Sequence, residues 1–495
     1  MAQVVVVGAG VAGLAAAVYL ADLGHVVTVL EQAPSLGGSL GSFARDGYTF
    51  DTGEPTLTLP AVFRDLFRVT GRPLERELGL VPVEPSWRFR FADGLEVDLS
   101  NASRARTLAG LEDALGAPSG RQWAALLRKA GQIWQAVRGP LLDRPLTARS
   151  AVAFAARPAR LRAIGAGSSL REWTERVLAE PRLRTIVESQ AVWAGSDPRG
   201  APAALAVLPY LEHAFGTWYV DGGMHRLVEA LAERASGRGA IIRAGCPVRQ
   251  VLVTDGRARG VRLATAETVS ADIVVAATHP GHLYGELVDV SARTERRLLA
   301  RAALPPSVFT LLLALRGRTA KPAHRTVLLP TDGDAELDWV FAAQPGPPPE
   351  LTMHVCIPGD TAAQPEGGEA WAVHVRVPRH GRDVQGALDW AADGVATSFA
   401  DRMLGVLATR GHDVRERVLW RVIRSPADRE RETRVPGGAV GGLTLTGLRS
   451  TWQRPGNRSP IQGLYLVGAA THPGPGLAFA ARSATITADL IGRAT

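Results

Sequence analysis

The chain has 495 residues, 46% of them apolar and 21% charged, which gives room for two or more cored domains and excludes a disordered or fibrous protein. Cys246 and Cys356 are its two cysteines; so far apart, they predict neither a disulfide framework nor a cysteine metal centre, and a reducing, cytoplasmic compartment is expected. The net charge of +8 is nearly all arginine, Lys129 and Lys321 being the only lysines. It fits an anionic partner or a coding bias, and with no aromatic–basic interleaving nucleic acid is not the expected partner.

Val4 to Val7 is an apolar, β-branched run, followed by Gly8-Ala9-Gly10-Val11-Ala12-Gly13 and a helical stretch from Leu14 to Leu23. A second β-branched run, Val26 to Leu30, ends at Glu31, eighteen residues beyond Gly13. Strand, glycine turn, helix, strand and acid predict a dinucleotide-binding βαβ unit. Gly8 suits the tight turn, Gly10 lets backbone approach a pyrophosphate, and Gly13 lets helix and strand pack closely. The helix N-terminus offers free N–H groups to phosphate, and Glu31 a carboxylate to ribose hydroxyls. Val4 to Ala21 is also uncharged, like a membrane span or a signal-peptide core. Only Met1-Ala2-Gln3 precedes it, and glycines at turn spacing followed by a strand favour the βαβ reading.

Gly37-Gly38-Ser39 and Gly47 to Gly53 come next; paired glycines suit an ordinary loop or backbone laid against a cofactor. A helix over Ala61 to Thr70 and a ribbon over Trp87 to Phe91, turning at Asp93-Gly94, predict a sheet outside the dinucleotide fold. From Arg104 to Pro202 the pattern is helical, with Trp123, Leu126, Leu127, Ala130, Ile133, Trp134 and Val137 at helical spacing. Between Arg121 and Arg171, the cations Arg121, Arg128, Lys129, Arg138, Arg144, Arg149, Arg157, Arg160, Arg162 and Arg171 are opposed by Asp143 alone. With Leu141, Leu142, Val152, Phe154 and Leu161 between them, the stretch suits a membrane interface or a solvated helical face.

A helix over Leu227 to Ala235 precedes strands at Ala240 to Arg243, Val248 to Thr254, Gly260 to Leu263 and Asp272 to Ala277, which return the chain to the dinucleotide sheet around an inserted meander. Ser307 to Leu315, Thr352 to Ile357 and Ala370 to Val377 read as strands, and Ala387 to Thr409 as one long helix. Near the end, Gly463 to Gly468 is a strand, Ala469 to Gly476 a loop holding His472, and Leu477 to Ile491 a closing helix. This second strand–loop–helix is what a discontinuous flavin domain needs, its helix N-terminus facing the electron-rich edge of the ring. His472 is either a titratable group beside that ring or a loop histidine at a helix end.

Four segments together resemble the carotenoid (phytoene) desaturases of the flavin amine-oxidase-like superfamily. They are Gly8 to Glu31; Gly37-Gly38 with Phe50-Asp51-Thr52-Gly53; Tyr219 to Met224; and Asn457 to Gly476, with Tyr465-Leu466-Val467-Gly468-Ala469-Ala470-Thr471-His472-Pro473-Gly474. The resemblance implies FAD, a hydrophobic polyene substrate and peripheral attachment to a membrane surface. By position it assigns Gly8, Gly10 and Gly13, with Val11 and Ala12, to the pyrophosphate, and Glu31, with Gln32, to the adenine ribose. Gly38 and Ser39 fall in the flavin loop and Val248 on the adenine-side strand. Gly468, Ala469, Gly476 and Leu477 flank pyrophosphate and isoalloxazine. The chain departs from the family at Ser39, often arginine in relatives, and over Leu477 to Arg482, where relatives carry a Gly/Val/Pro-rich turn.

The expectation is an α/β protein with a discontinuous Rossmann-type FAD-binding domain (residues 1–85, 215–290 and 445–495), a mixed-sheet substrate domain (86–103 and 291–444) and a helical, membrane-contacting cap (104–214). The expected activity is FAD-dependent desaturation of phytoene or another carotenoid intermediate by hydride transfer to flavin, with oxygen or a quinone as final acceptor. A carotenoid ketolase or oxygenase, a flavin-dependent carotenoid isomerase and an amine-oxidase-type enzyme are the alternatives. No Ser-His-Asp, HExxH or paired-carboxylate pattern is recognisable and no metal site is expected. The expected location is cytoplasmic and peripherally membrane-associated.

Overall fold

The computed structural model describes residues 1–101, 103–289, 295–297, 299, 302–342, 346–360, 363–382, 386–447 and 453–494. Its first strand, Gln3–Val7, is the centre of a five-stranded parallel sheet. The spatial order is Ile241–Arg243, Val26–Leu30, Gln3–Val7, Ile273–Ala276, Leu464–Leu466. A parallel sheet is covered on both faces, which is why its strands read as unbroken valine and isoleucine. Val4 and Val6 pack under helices Val11–Asp22, Arg226–Gly237 and Leu477–Ile491. Val5 and Val7 face an antiparallel meander, Val248–Thr254, Arg257–Leu263 and Thr268–Ser270. The uncharged run from Val4 to Ala21 is thus consumed by a core strand and helix. Among the described residues no helix is long and apolar enough to cross a membrane.

A second sheet of seven strands runs Val418–Arg424, Ser307–Arg316, Gly368–Val377, Met353–Cys356, Arg325–Leu328, Trp87–Arg90, Glu96–Leu99. All its pairs are antiparallel except Arg325–Leu328 with Trp87–Arg90, so the early ribbon joins strands made more than two hundred residues later. Phe309, Leu311 and Leu313 face outward, under Phe399, Met403 and Leu407 of the helix Val395–Thr409. Leu312, Ala314, Ala370 and Ala372 face inward against Tyr48 and Phe50 of the cofactor half.

Between Arg104 and Phe215 the chain is helical, including Arg104–Leu115, the twenty-residue Pro118–Val137 and Pro181–Trp193. Trp123, Leu126, Ile133 and Ile186 make the core of this bundle. Leu141 and Phe154, counted above among residues for a membrane boundary, lie in that core at 8% and 3% exposure. Val152, at 69%, is the apolar residue of that set left outside, and Arg144, Arg149, Arg157 and Arg162 around it are exposed.

The long helix expected over Ala387 to Thr409 starts only at Val395. Ala387–Leu388 instead pairs with Arg379–His380, Asp389 Oδ1 accepts the Ala391 N–H at 3.1 Å, and Gly394 takes φ +75° at the helix start. A local aspartate bond and a left-handed glycine both compete with helix, and propensity yields to them. The strands Arg325–Leu328 and Val418–Arg424 are not among the expected elements; the first is only four residues long, and the second carries two arginines and no strict alternation.

Candidate cofactor and substrate site

The first glycine turn lies where the first strand feeds the first helix. Gly8 has φ +103°, and a Cβ on Gly13 would stand 2.0 Å from the Gly8 carbonyl oxygen, so both glycines are dictated by close packing. Gly10 differs: a Cβ there meets nothing nearer than Gly37 O at 3.7 Å. Its side is left open, and the helix Val11–Asp22 begins there with no side-chain cap. The first amides of that helix, at Val11, Ala12 and Gly13, are therefore the donors available to an anion.

Two further segments close over this turn. The Gly37 N–H donates to Ala9 O at 3.0 Å, Gly37 bridges Gly10, and a Cβ on Gly38 would sit 3.5 Å from the Gly10 Cα. From the other end of the chain comes Gly468 (φ +125°), on which a Cβ would stand 4.0 Å from the Ala12 Cβ. Ala469 follows it, and Gly476 and Leu477 start the closing helix beside the first one. Buried Glu31 accepts N–H bonds from Ala9 at 2.7 Å and Ala33 at 2.9 Å, which fixes its carboxylate beside the turn. The Cys246 N–H binds Glu31 O at 2.7 Å and leads into Val248. Gln32 turns away: its amide donates to Glu432 O at 2.9 Å. Ser39 is exposed, and its carbonyl packs on Gly53.

A dinucleotide fits this arrangement. The open side of Gly10, the uncapped helix and the anchored Glu31 are what a phosphate and a ribose need. Thr471 Oγ1, in the loop that Gly468 starts, is buried with no partner among the described residues, one more polar atom awaiting a ligand or water.

His472 is 3% exposed, and its Nε2 donates to Arg144 O at 2.8 Å. Burial pushes its pKa down to about 4, so at neutral pH it is an uncharged strut between the C-terminal loop and the helical region. Its carbonyl is held by Asn457 Nδ2 at 3.0 Å and by Ser483 Oγ at 2.8 Å.

Across from the glycine turns, the inner face of the seven-stranded sheet changes from apolar to polar along its strands. His354 pairs with His374, His374 with Thr310, and Arg325 with Cys356; Arg376 lies two residues beyond His374, on the same face. All four basic side chains are buried. Arg325 donates to Thr56 Oγ1 at 2.6 Å and Glu212 Oε1 at 3.4 Å, and its guanidinium lies 3.3 Å from the centre of the Trp87 ring. Trp87 Nε1 donates to the other oxygen of Glu212. Arg376 donates to Pro306 O, Val440 O and Trp193 O. The Nε atoms of Arg376 and Arg429 have no partner among the described residues. Burial lowers the pKa of both arginines to about 10 and of His374 to about 3, and holds His354 well below the usual range. The imidazoles are therefore neutral while the guanidiniums stay charged.

Two narrow cavities run over this face and share Pro55 and Cys356. One passes Asp51, Gly53, Tyr219, His324 and His374; the other passes Trp87, Trp193, Arg325 and His354. Asp51 ties two of the sequence motifs together, accepting from the Tyr219 hydroxyl at 3.1 Å and the His225 N–H at 3.2 Å. Sequence reasoning missed Glu212, Arg325, Arg376 and Arg429. For Arg376 a signal exists: His374 and Arg376 alternate with Val373, Val375 and Val377, a period-2 pattern that marks one polar face.

The family model of the flavin containing amine oxidoreductases matches residues 11–367. A zeta-carotene-forming phytoene desaturase from Myxococcus xanthus is 29% identical, the match covering 96% of this chain and 91% of that one. A hydroxyneurosporene desaturase from Rubrivivax gelatinosus is 30% identical over 99% and 93%. An oxidoreductase from Methanosarcina mazei has the same fold, with a TM-score of 0.65 at 18% identity over 98% and 99% of the two chains.

Proposed function

Because the chain belongs to the flavin containing amine oxidoreductases and, within them, to the carotenoid desaturase family, we propose that it desaturates an acyclic carotenoid intermediate. It is an FAD-dependent oxidoreductase acting on a CH–CH bond. The observation that carries the substrate reading is near full-length similarity to two desaturases of carotenoid intermediates. When bound, FAD supplies a two-electron acceptor for hydride. The chain's own part is to hold it. Gly8, Gly10, Val11, Ala12 and Gly13 serve the pyrophosphate and Glu31 the adenine ribose. Gly38, Ser39, Val248, Gly468, Ala469, Gly476 and Leu477 line the remainder, and Gln32 supports Glu31 through the chain. The inner face of the second sheet then bounds the polyene and excludes water from it. Residues 1–85, 215–290 and 445–495 form the cofactor unit in this reading, 86–103 and 291–444 the substrate unit, and 104–214 the cap.

The test is anaerobic mixing of the FAD-loaded protein with phytoene, zeta-carotene or a hydroxylated polyene in liposomes. Bleaching of the flavin with a product two hydrogens lighter is the expected result. In a parallel aerobic incubation with a reductant, a product that gains oxygen indicates an oxygenase; an unchanged mass with altered geometry indicates an isomerase, and bleaching by amines alone an amine oxidase.

Attachment to the bilayer is part of the same reading, since the substrate is too apolar to cross water. Arg144, Arg149, Arg157 and Arg162 are exposed and have no ion-pair partner among the described residues. Each cation near an anionic surface contributes about 1 kcal/mol, screened by salt. With Leu141 and Phe154 committed to the core, the attachment is electrostatic. Wild type should sediment with anionic liposomes at low salt, and the Arg157→Glu, Arg160→Glu, Arg162→Glu variant should not.

A further inference from the structure

A pure hydrocarbon offers nothing to a polar wall, yet one of the two cavities on the second sheet is walled by polar groups. His354, 6% exposed, and Arg325, 4% exposed, both line it, with Trp87 and Trp193 beside them. The His354 ring stacks on Trp193 at 4.1 Å between centres and meets Trp87 edge-on at 5.8 Å, so packing fixes its plane. Neither of its nitrogens has a hydrogen bond among the described residues, whereas the imidazole of His374, its cross-strand partner, bonds Thr310 at 2.9 Å. Arg325 lies over the Trp87 ring, and its bonds to Thr56 and Glu212 use only part of what a guanidinium can donate. Glu212 already balances its charge, so the pair does not call for an anion. A buried imidazole without a partner costs free energy that only a bonded ligand or water recovers.

The cavity also has a direction. Its neighbour shares Pro55 and Cys356 with it and passes Gly53, which packs on Ser39 of the flavin loop. A chain laid along both has its reacting stretch beside that loop and its end between Trp87 and Trp193. From this placement we infer that the polyene carries a hydroxyl at its end, held by His354 and Arg325. The inference rests on the desaturase reading above and narrows its substrate. Burial keeps His354 uncharged, with one ring nitrogen free to accept. A hydroxyl both donates and accepts: it donates to that nitrogen and accepts from an Arg325 N–H. A carbonyl only accepts, and a carboxylate brings a charge that Glu212 already supplies. The two indoles hold the apolar carbons next to the hydroxyl. Fixing the end sets which bond of the chain lies at the flavin. An end without oxygen leaves both side chains unpaired, and a site built for a hydroxyl rejects it for that reason.

The experiment gives FAD-loaded protein two polyenes in liposomes that differ only in a terminal hydroxyl. Binding is read with the flavin reduced beforehand by dithionite, so that nothing turns over, as quenching of tryptophan emission. Wild type should bind the hydroxylated polyene at least about tenfold more tightly. His354→Phe, which keeps a stacking ring and removes both nitrogens, should bring the ratio near one with unchanged flavin content. Bleaching of oxidised flavin should show the same preference in kcat/KM, lost in the same variant. Equal wild-type affinity for the two polyenes overturns the inference and leaves the desaturase reading standing, and so does a preference that His354→Phe retains. Wild-type flavin bleached by neither polyene overturns the desaturase reading, and the binding ratio then decides the inference by itself.

Discussion

In the five-stranded sheet the strands carry no chemistry. Val4–Val7 and Ile273–Ala276 are apolar on both faces, and the glycines and Glu31 sit in the loops at the strand ends. In the seven-stranded sheet the strands themselves carry it, with Arg325, His354, His374 and Arg376 projecting from three neighbouring strands. The first arrangement follows from parallel pairing, which spends both faces on helices and meander and leaves only the carboxyl ends for a ligand. The second follows from antiparallel pairing, which leaves one whole face to be covered by something else. Here that cover is the cofactor half, so side chains that would ordinarily face water are buried.

This contrast predicts different kinds of failure. The largest effect belongs to the glycine turns. Gly13→Ala forces a Cβ to 2.0 Å from backbone oxygen and should prevent soluble expression, a cost above about 4 kcal/mol. Gly10→Val should fold with an unchanged melting temperature yet purify colourless, because space for its side chain is open where the pyrophosphate approaches. Bound flavin at wild-type levels in Gly10→Val would break the distinction between a packing glycine and a ligand glycine.

On the second sheet, Arg325→Met should cost about 3 kcal/mol, since it leaves the half-buried Glu212 without its cation. The denaturation midpoint measures this, and the double variant Arg325→Met, Glu212→Gln should recover much of the loss. If the single variant is neutral, the pair is solvated and the patch is not a dry site.

Glu31→Ala should weaken FAD by about 1–3 kcal/mol and destabilise the flavin-free protein by a similar amount. Both changes arise because the carboxylate already satisfies the Ala9 and Ala33 amides. Flavin titration and thermal melts separate the two losses, and an unchanged flavin affinity would leave Glu31 a purely structural anchor.

The most gradual effect is the acid response of the buried histidines. His354 and His374 are neutral when folded, their pKa values lowered by burial and by Arg376 among the neighbouring cations. Below an unfolded pKa near 6.5 the unfolded chain binds protons that the folded one does not. Stability is therefore complete above that value and falls as pH drops, for His374 towards its folded pKa of about 3, by about 1.4 kcal/mol per pH unit for each such ring. His354→Phe keeps the stacking on Trp193, now 4.1 Å between ring centres. It should flatten the decline of melting temperature between pH 6.5 and 5; an unaltered slope would mean that the ring is hydrated.

The same contrast explains what could be read in the amino-acid order. Val26 to Leu30, Val248 to Thr254 and Leu477 to Ile491 were placed at their observed bounds because their signals are local: β-branched runs, a hairpin turn, a glycine before an apolar helix. The cofactor residues share that advantage, since spacing within thirty residues defines the turn. The polar patch has no such signal. Strand Gly368–Val377 alternates His and Arg with valine, the pattern of a sheet with one wet face, yet all ten residues are buried. Only the register with Met353–Cys356 and Ser307–Arg316, and the cover lent by Tyr48 and Phe50, make that face interior.

The order of strands in the parallel sheet also has a consequence for biosynthesis. Ile273–Ala276 pairs on one side with Gln3–Val7 and on the other with Leu464–Leu466. At about 5–20 residues per second, the ribosome needs roughly 10–40 s after the former strand emerges to deliver the latter. Throughout that interval a row of backbone donors and acceptors on Ile273–Ala276 stands open, and an open edge of this kind templates pairing with other chains. Gly468 arrives last as well, so flavin capture is a post-translational event, and cofactor added to stalled nascent chains should find only half of its seat.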